Sequence, residues 1–173
     1  MRRVLLLATL LLVLTSPAQG SEWGGIEPGV STTDTVRARY GDPTKETHAK
    51  VEGYDTTQWI YEGTKAPGGI ITMTVDFGLL TPSGYKSSVV RLLKLEPRPL
   101  IFGRNTLVQG WGPPDGVGNK DGVLTLFYKD GLFVVLDPAG ENAVSMIFSI
   151  PQPEPGAKAA PTSPTPAPPK SKQ

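Results

Sequence analysis

With 173 residues, a formal net charge of +1, one histidine and no cysteine, the chain excludes disulfide bonds, thiolate metal sites and a histidine-rich metal centre. Residues 21–150 carry 12 Lys or Arg against 15 Asp or Glu, with no basic cluster to attract phosphate, which argues against a nucleic-acid partner.

In chain order, Arg2 and Arg3 precede an apolar run of eleven residues, Val4 to Leu14, after which Ala18 and Gly20 stand at the positions a signal peptidase reads. This pattern predicts a secretory signal over residues 1–20, since the run covers about half of the ~20 residues that span a bilayer. The absence of cysteine leaves no site for a lipid anchor. The mature protein is therefore expected to be soluble and periplasmic or secreted, with membrane contact left open.

Ser31 as N-cap, with Asp34 three residues later, predicts a short helix through Thr35 to Tyr40. Gly41 is its stop, and Pro43 prevents its continuation. A helix this short needs a partner surface, so Val36 and Tyr40 are expected to pack on a sheet. Strands are predicted from Thr57 to Glu62, along the alternating Ile71, Met73, Val75 and Phe77, and from Lys86 to Leu95, with a turn at Pro82 to Gly84.

The same order then recurs. Thr106 to Trp111 predicts a second helix, stopped by Gly112 and Pro114, with Leu107 matching Val36 and Trp111 matching Tyr40. Strands follow from Val123 to Lys129, from Leu132 to Leu136 and, after a turn at Pro138 to Gly140, from Val144 to Ile150. The fold expected is therefore α+β, two tandem repeats over residues 21–98 and 99–150. Each would be a short helix followed by about three antiparallel strands, with the helices on one sheet face. Residues 151–173 are rich in proline, lack aromatic and β-branched aliphatic residues, and read as a disordered tail.

No set of residues points to catalysis, a metal or a cofactor. His48 lies in a polar stretch beside Glu46 and Lys50. Asp115, Asn119 and Asp121 miss the ligand spacing of a calcium loop. The glycines 110, 112, 116, 118 and 122 lack the lysine of a phosphate loop. The surface offers more. Taking Asp130-Gly131 as a two-residue turn places Tyr128 opposite Phe133. One face of that hairpin then carries Val123, Phe127, Leu132, Val134 and Leu136, an apolar set expected to meet either the rest of the protein or a partner.

The run Gly29 to Val36 through Gly41, Asp42 and Pro43, followed by Trp59, Ile60 and Tyr61, resembles the SmpA/OmlA (BamE-like) family of outer-membrane assembly accessory proteins. As a tandem pair it also resembles the architecture of β-lactamase inhibitory protein. The resemblance implies a non-catalytic, exported interaction module of the bacterial cell envelope, bound to another envelope or secreted protein and linked to outer-membrane assembly or envelope maintenance. The alternative it implies is an inhibitor or regulator of a secreted or periplasmic enzyme. Gly41, Pro43, Gly112 and Pro114 carry over as structural positions only.

Overall fold

The computed structural model describes residues 21–151. The expected signal at 1–20 and the expected tail beyond Pro151 lie outside the described residues. Two eight-residue helices, α1 (Thr33–Tyr40) and α2 (Arg104–Trp111), each precede four strands. These are β1 (Lys45–Val51), β2 (Tyr54–Glu62), β3 (Ile70–Thr81) and β4 (Gly84–Pro97), then β5 (Gly116–Lys120), β6 (Val123–Tyr128), β7 (Leu132–Leu136) and β8 (Ala143–Ser149).

All the strands belong to one eight-stranded sheet in the order β1-β2-β3-β4-β8-β7-β6-β5, antiparallel throughout. This corrects the expectation of two helix-plus-three-strand repeats. The seam is β4 against β8, where Leu93 faces Phe148 and Leu95 faces Met146, so neither half has a sheet of its own. The strands missed in the sequence are the two edges. β1 (KETHAKV) and β5 (GVGNK) lack an apolar alternation because an edge strand beyond the reach of the helices has little to bury.

One sheet face carries the core. The row Trp59, Val75, Leu93, Phe148, Leu132 and Tyr128 and the row Tyr61, Met73, Leu95, Met146, Val134 and Leu126 cross six strands, and every member is buried. Val36 from α1, Leu107 from α2 and Ile26 from the leading segment close over them, each fully buried. That leading segment ties the halves together. Ser21 N–H donates to the Asp130 carbonyl at 2.8 Å, and Gly29 N–H donates to that of Val90 at 2.8 Å.

The helix ends follow from local chemistry. The N-cap of α1 is Thr32 rather than Ser31: the Thr32 hydroxyl accepts from Thr35 N–H, and the Thr35 hydroxyl accepts from Thr32 N–H, both at 3.4 Å. Ser31 is buried instead, its hydroxyl accepting from Glu27 N–H at 3.0 Å. Both helices stop at a glycine of positive φ, Gly41 at 73° and Gly112 at 80°, a region that a Cβ disfavours. The ψ of each lies near the extended range, so the stop is not the left-handed helical conformation. Each stop is then held by a strand tyrosine. The Tyr61 hydroxyl donates to the Gly41 carbonyl at 3.1 Å, and that of Tyr128 donates to Gly112 at 3.4 Å.

Candidate interaction face

With both helices on the core face, the opposite face of the sheet has no covering element among the described residues. A single row across all eight strands shows its character: Lys45, Ile60, Thr74, Lys94, Ile147, Phe133, Phe127 and Gly116. It begins charged at β1 and ends apolar at β5.

The β1 to β4 side of this face is polar and internally paired. Asp76 accepts from Gln58 Nε2 at 2.8 Å and lies 3.5 Å from the Arg91 guanidinium, and Lys94 Nζ donates to Glu96 at 2.7 Å. Asp76, Gln58 and Arg91 line a shallow cleft of about 210 Å³ with Thr47, Thr56 and Thr57. Arg91 Nε is buried there without an acceptor among the described residues, an uncompensated donor of the kind that costs stability. The β5 to β8 side is aromatic and aliphatic. Phe127 and Phe133 meet edge to face at 5.6 Å, flanked by the half-buried Val135 and Ile147. Part of Phe127's role is local: its ring lies over Gly118, where an added Cβ would come within 2.8 Å, so the aromatic ring covers glycine backbone at the sheet edge.

The apolar set read from the sequence does not occupy this face together. Val123 and Phe127 are exposed, whereas Leu132, Val134 and Leu136 are buried in the core. The cause is one residue of register. Tyr128 pairs with Leu132, leaving a three-residue connection, Lys129 to Gly131, where a two-residue turn was expected. A shift of one residue turns a whole strand over. Phe133 and Val135 are the face residues misplaced for this reason, and Ile147 of β8 joins them by its pairing with Phe133.

The remaining sequence candidates have structural roles. His48 is exposed between Glu46 at 3.3 Å and Thr57 at 3.1 Å. Asp115 accepts from Lys129 N–H, and the Asn119 side chain accepts from Gly122 N–H, so both serve turns. Among the described residues no group of His, Cys, Asp or Glu gathers in a metal-holding arrangement, and no helix is long and apolar enough to cross a membrane.

No protein-family model matches the chain, and a search of curated proteins finds no matching sequence. Among solved structures, a DUF4309 family protein (YjgB) from Bacillus subtilis is similar at a TM-score of 0.48 and 14% identity, over 73% of this chain and 83% of that one. A likeness at this level assigns neither family nor activity to the chain.

Proposed function

We propose that this chain is an exported, non-catalytic interaction module of the cell envelope that holds a protein partner on the uncovered face of its sheet. The observation that carries this reading is the apolar end of that face, where Phe127, Phe133, Val135 and Ile147 stand together with no element over them among the described residues. Aromatic anchors set among aliphatic neighbours and bordered by polar residues are the composition of a binding hot spot. The envelope location rests on the sequence of residues 1–20, and a BamE-like role in outer-membrane assembly or envelope maintenance rests on the resemblance around Gly41 and Pro43.

The test uses the chain as bait in envelope extract of its own host, with the captured partner then titrated against variants. Phe133→Ala is expected to weaken binding by on the order of 2 kcal/mol and Phe127→Ala by about 1 to 2 kcal/mol. Both variants should retain the cooperative unfolding transition. Partner binding unchanged by both substitutions would remove the face from consideration. Capture of a secreted hydrolase whose activity falls on binding would favour the inhibitor reading over an assembly role.

A further inference from the structure

The end of the sheet where β4 crosses to α2 carries a feature that the open face does not explain. Leu100, in the connector between the halves, has a φ of 69° and is 79% exposed. A bulky non-glycine residue at positive φ is strained, and here no burial compensates it. The connector is nonetheless held at both ends. Arg98 N–H donates to the Gly69 carbonyl at 2.9 Å, Ile101 N–H donates to that of Arg98 at 3.3 Å, and the Ile101 side chain lies against Gly69. Pro97 and Pro99 fix the backbone on either side of Arg98. The result is a rigid apolar knob aimed at solvent.

Beside the knob lies a cleft of about 380 Å³, lined by Ile71, Pro97, Pro99, Ala143 and Val144, with Glu96, Asp137 and Asn142 among its polar members. Ile71 and Val144 are each about half exposed. The Asp137 carboxyl accepts from the Asn142 side chain at 3.0 Å and from Glu141 N–H at 2.9 Å, which keeps it ionised below the usual carboxylate range. On the knob side the charge is of the other sign. Arg98, two residues before Leu100, is in no ion pair among the described residues.

A preorganised leucine with the unpaired Arg98 beside it, next to an apolar cleft bordered by Asp137 and by Glu96, which Lys94 already pairs, is a self-complementary patch. Knob and socket within one patch are what an interface with a two-fold axis requires, because each copy must give and receive the same contact. We propose that this end of the sheet is a self-association site, in which Leu100 of each copy enters the Ile71, Pro97, Pro99 and Val144 cleft of a second copy and Arg98 faces that copy's Glu96 and Asp137. The carboxylates argue against an anionic lipid surface as the occupant. Rigidity of the connector lowers the ordering cost of docking, which gives the strained conformation a use.

Sedimentation equilibrium of the full chain purified from its host, from micromolar to millimolar concentration, tests the proposal. The expected result is a reversible monomer–dimer equilibrium. Leu100→Gly should weaken it by about tenfold or more, since a central anchor is lost, while folding is preserved because glycine occupies positive φ without strain. Arg98→Glu and Glu96→Arg should each weaken it, and an equal mixture of the two should restore association by pairing the swapped charges. Phe127→Ala should leave it unchanged, which separates this patch from the open face. A monomer at every concentration, a dimer indifferent to Leu100→Gly, or a mixture no tighter than either charge variant alone would each overturn the proposal.

Discussion

The two halves of the molecule share their framework and differ in their open surface. Each begins with an eight-residue helix that buries one side chain fully, Val36 or Leu107, and stops at a glycine of positive φ whose carbonyl a strand tyrosine holds. Each first hairpin closes through a two-residue turn with both φ values positive, Glu52-Gly53 or Asp121-Gly122. Strand lengths diverge, at 7, 9, 12 and 14 residues against 5, 6, 5 and 7. The open face diverges more, with the Asp76–Arg91 and Lys94–Glu96 ion pairs on the long strands and the Phe127–Phe133 pair on the short ones. The matched features lie where they hold helix to sheet. The divergent ones lie on the open face.

The strongest way to break this comparison is to remove equivalent core mass from each half. Phe77 and Phe148 are both fully buried, and the core is continuous across the β4–β8 seam. Phe77→Ala and Phe148→Ala are each expected to cost about 3 to 5 kcal/mol in urea denaturation, with a single transition in both variants. Two separated transitions would show the halves unfolding independently.

Next come the glycines. Gly41 and Gly112 have open space where a Cβ would stand, so alanine there meets only the backbone strain of positive φ with extended ψ, about 1 to 3 kcal/mol. Gly131 precedes β7 as Gly69 precedes β3, but at Gly69 a Cβ would meet only the Ile101 side chain, at 3.4 Å. The φ of Gly131 is 97°, and a Cβ there would run into the carbonyl oxygens of Ser149 and Ile150. Gly131→Ala should therefore cost more than either helix stop, about 2 to 4 kcal/mol, measured as the shift in denaturant midpoint. Equal costs at all three positions would mean that β8 yields to the methyl group.

The tyrosine contacts are smaller. Tyr61→Phe and Tyr128→Phe should each lose about 0.5 to 1.5 kcal/mol, with the larger loss at Tyr61, whose hydrogen bond is the shorter at 3.1 Å against 3.4 Å. Burial pushes the Tyr61 phenol up to about 12, and burial followed by Asp115 raises that of Tyr128. A raised folded-state value favours the protonated phenol. Its contribution to stability is therefore complete below the unfolded value of about 10 and is lost as the pH climbs through the Tyr61 value. Chemical denaturation across that window should show stability falling with pH, and less steeply in Tyr61→Phe.

How much of this was legible in the sequence depended on burial. β3 showed its alternation because Met73, Val75 and Phe77 all face the core. The edges β1 and β5 had no such pattern, and only the acidic-Gly pairs at 52–53 and 121–122 marked their hairpins. The analogous pair Asp130-Gly131 did not make a two-residue turn, because Gly131 also pairs with β8: Ser149 N–H donates to its carbonyl at 2.9 Å. That long-range bond set the register, which no local pattern encodes, and with it which residues of β7 lie on the open face.

The smallest expected effect tests a helix feature the halves do not share. Thr32 and Thr35 close α1 with reciprocal side-chain bonds, whereas α2 starts at Gly103 with no side-chain cap. Gly103 has φ −69° and ψ 155°, extended values that any residue adopts, and a Cβ there would meet Asn142 and Glu141 only at ordinary contact, 3.8 and 3.9 Å. Gly103→Ser therefore adds a hydroxyl able to accept from the first turn of α2 and narrows the unfolded ensemble without strain in the folded one. A gain of about 0.5 to 1 kcal/mol in stability is expected, read as a small rise in Tm. A loss instead would mean that the bridge between Gly103 and Asn142 tolerates no side chain, and that α2 begins on glycine because of that strand contact rather than for want of a cap.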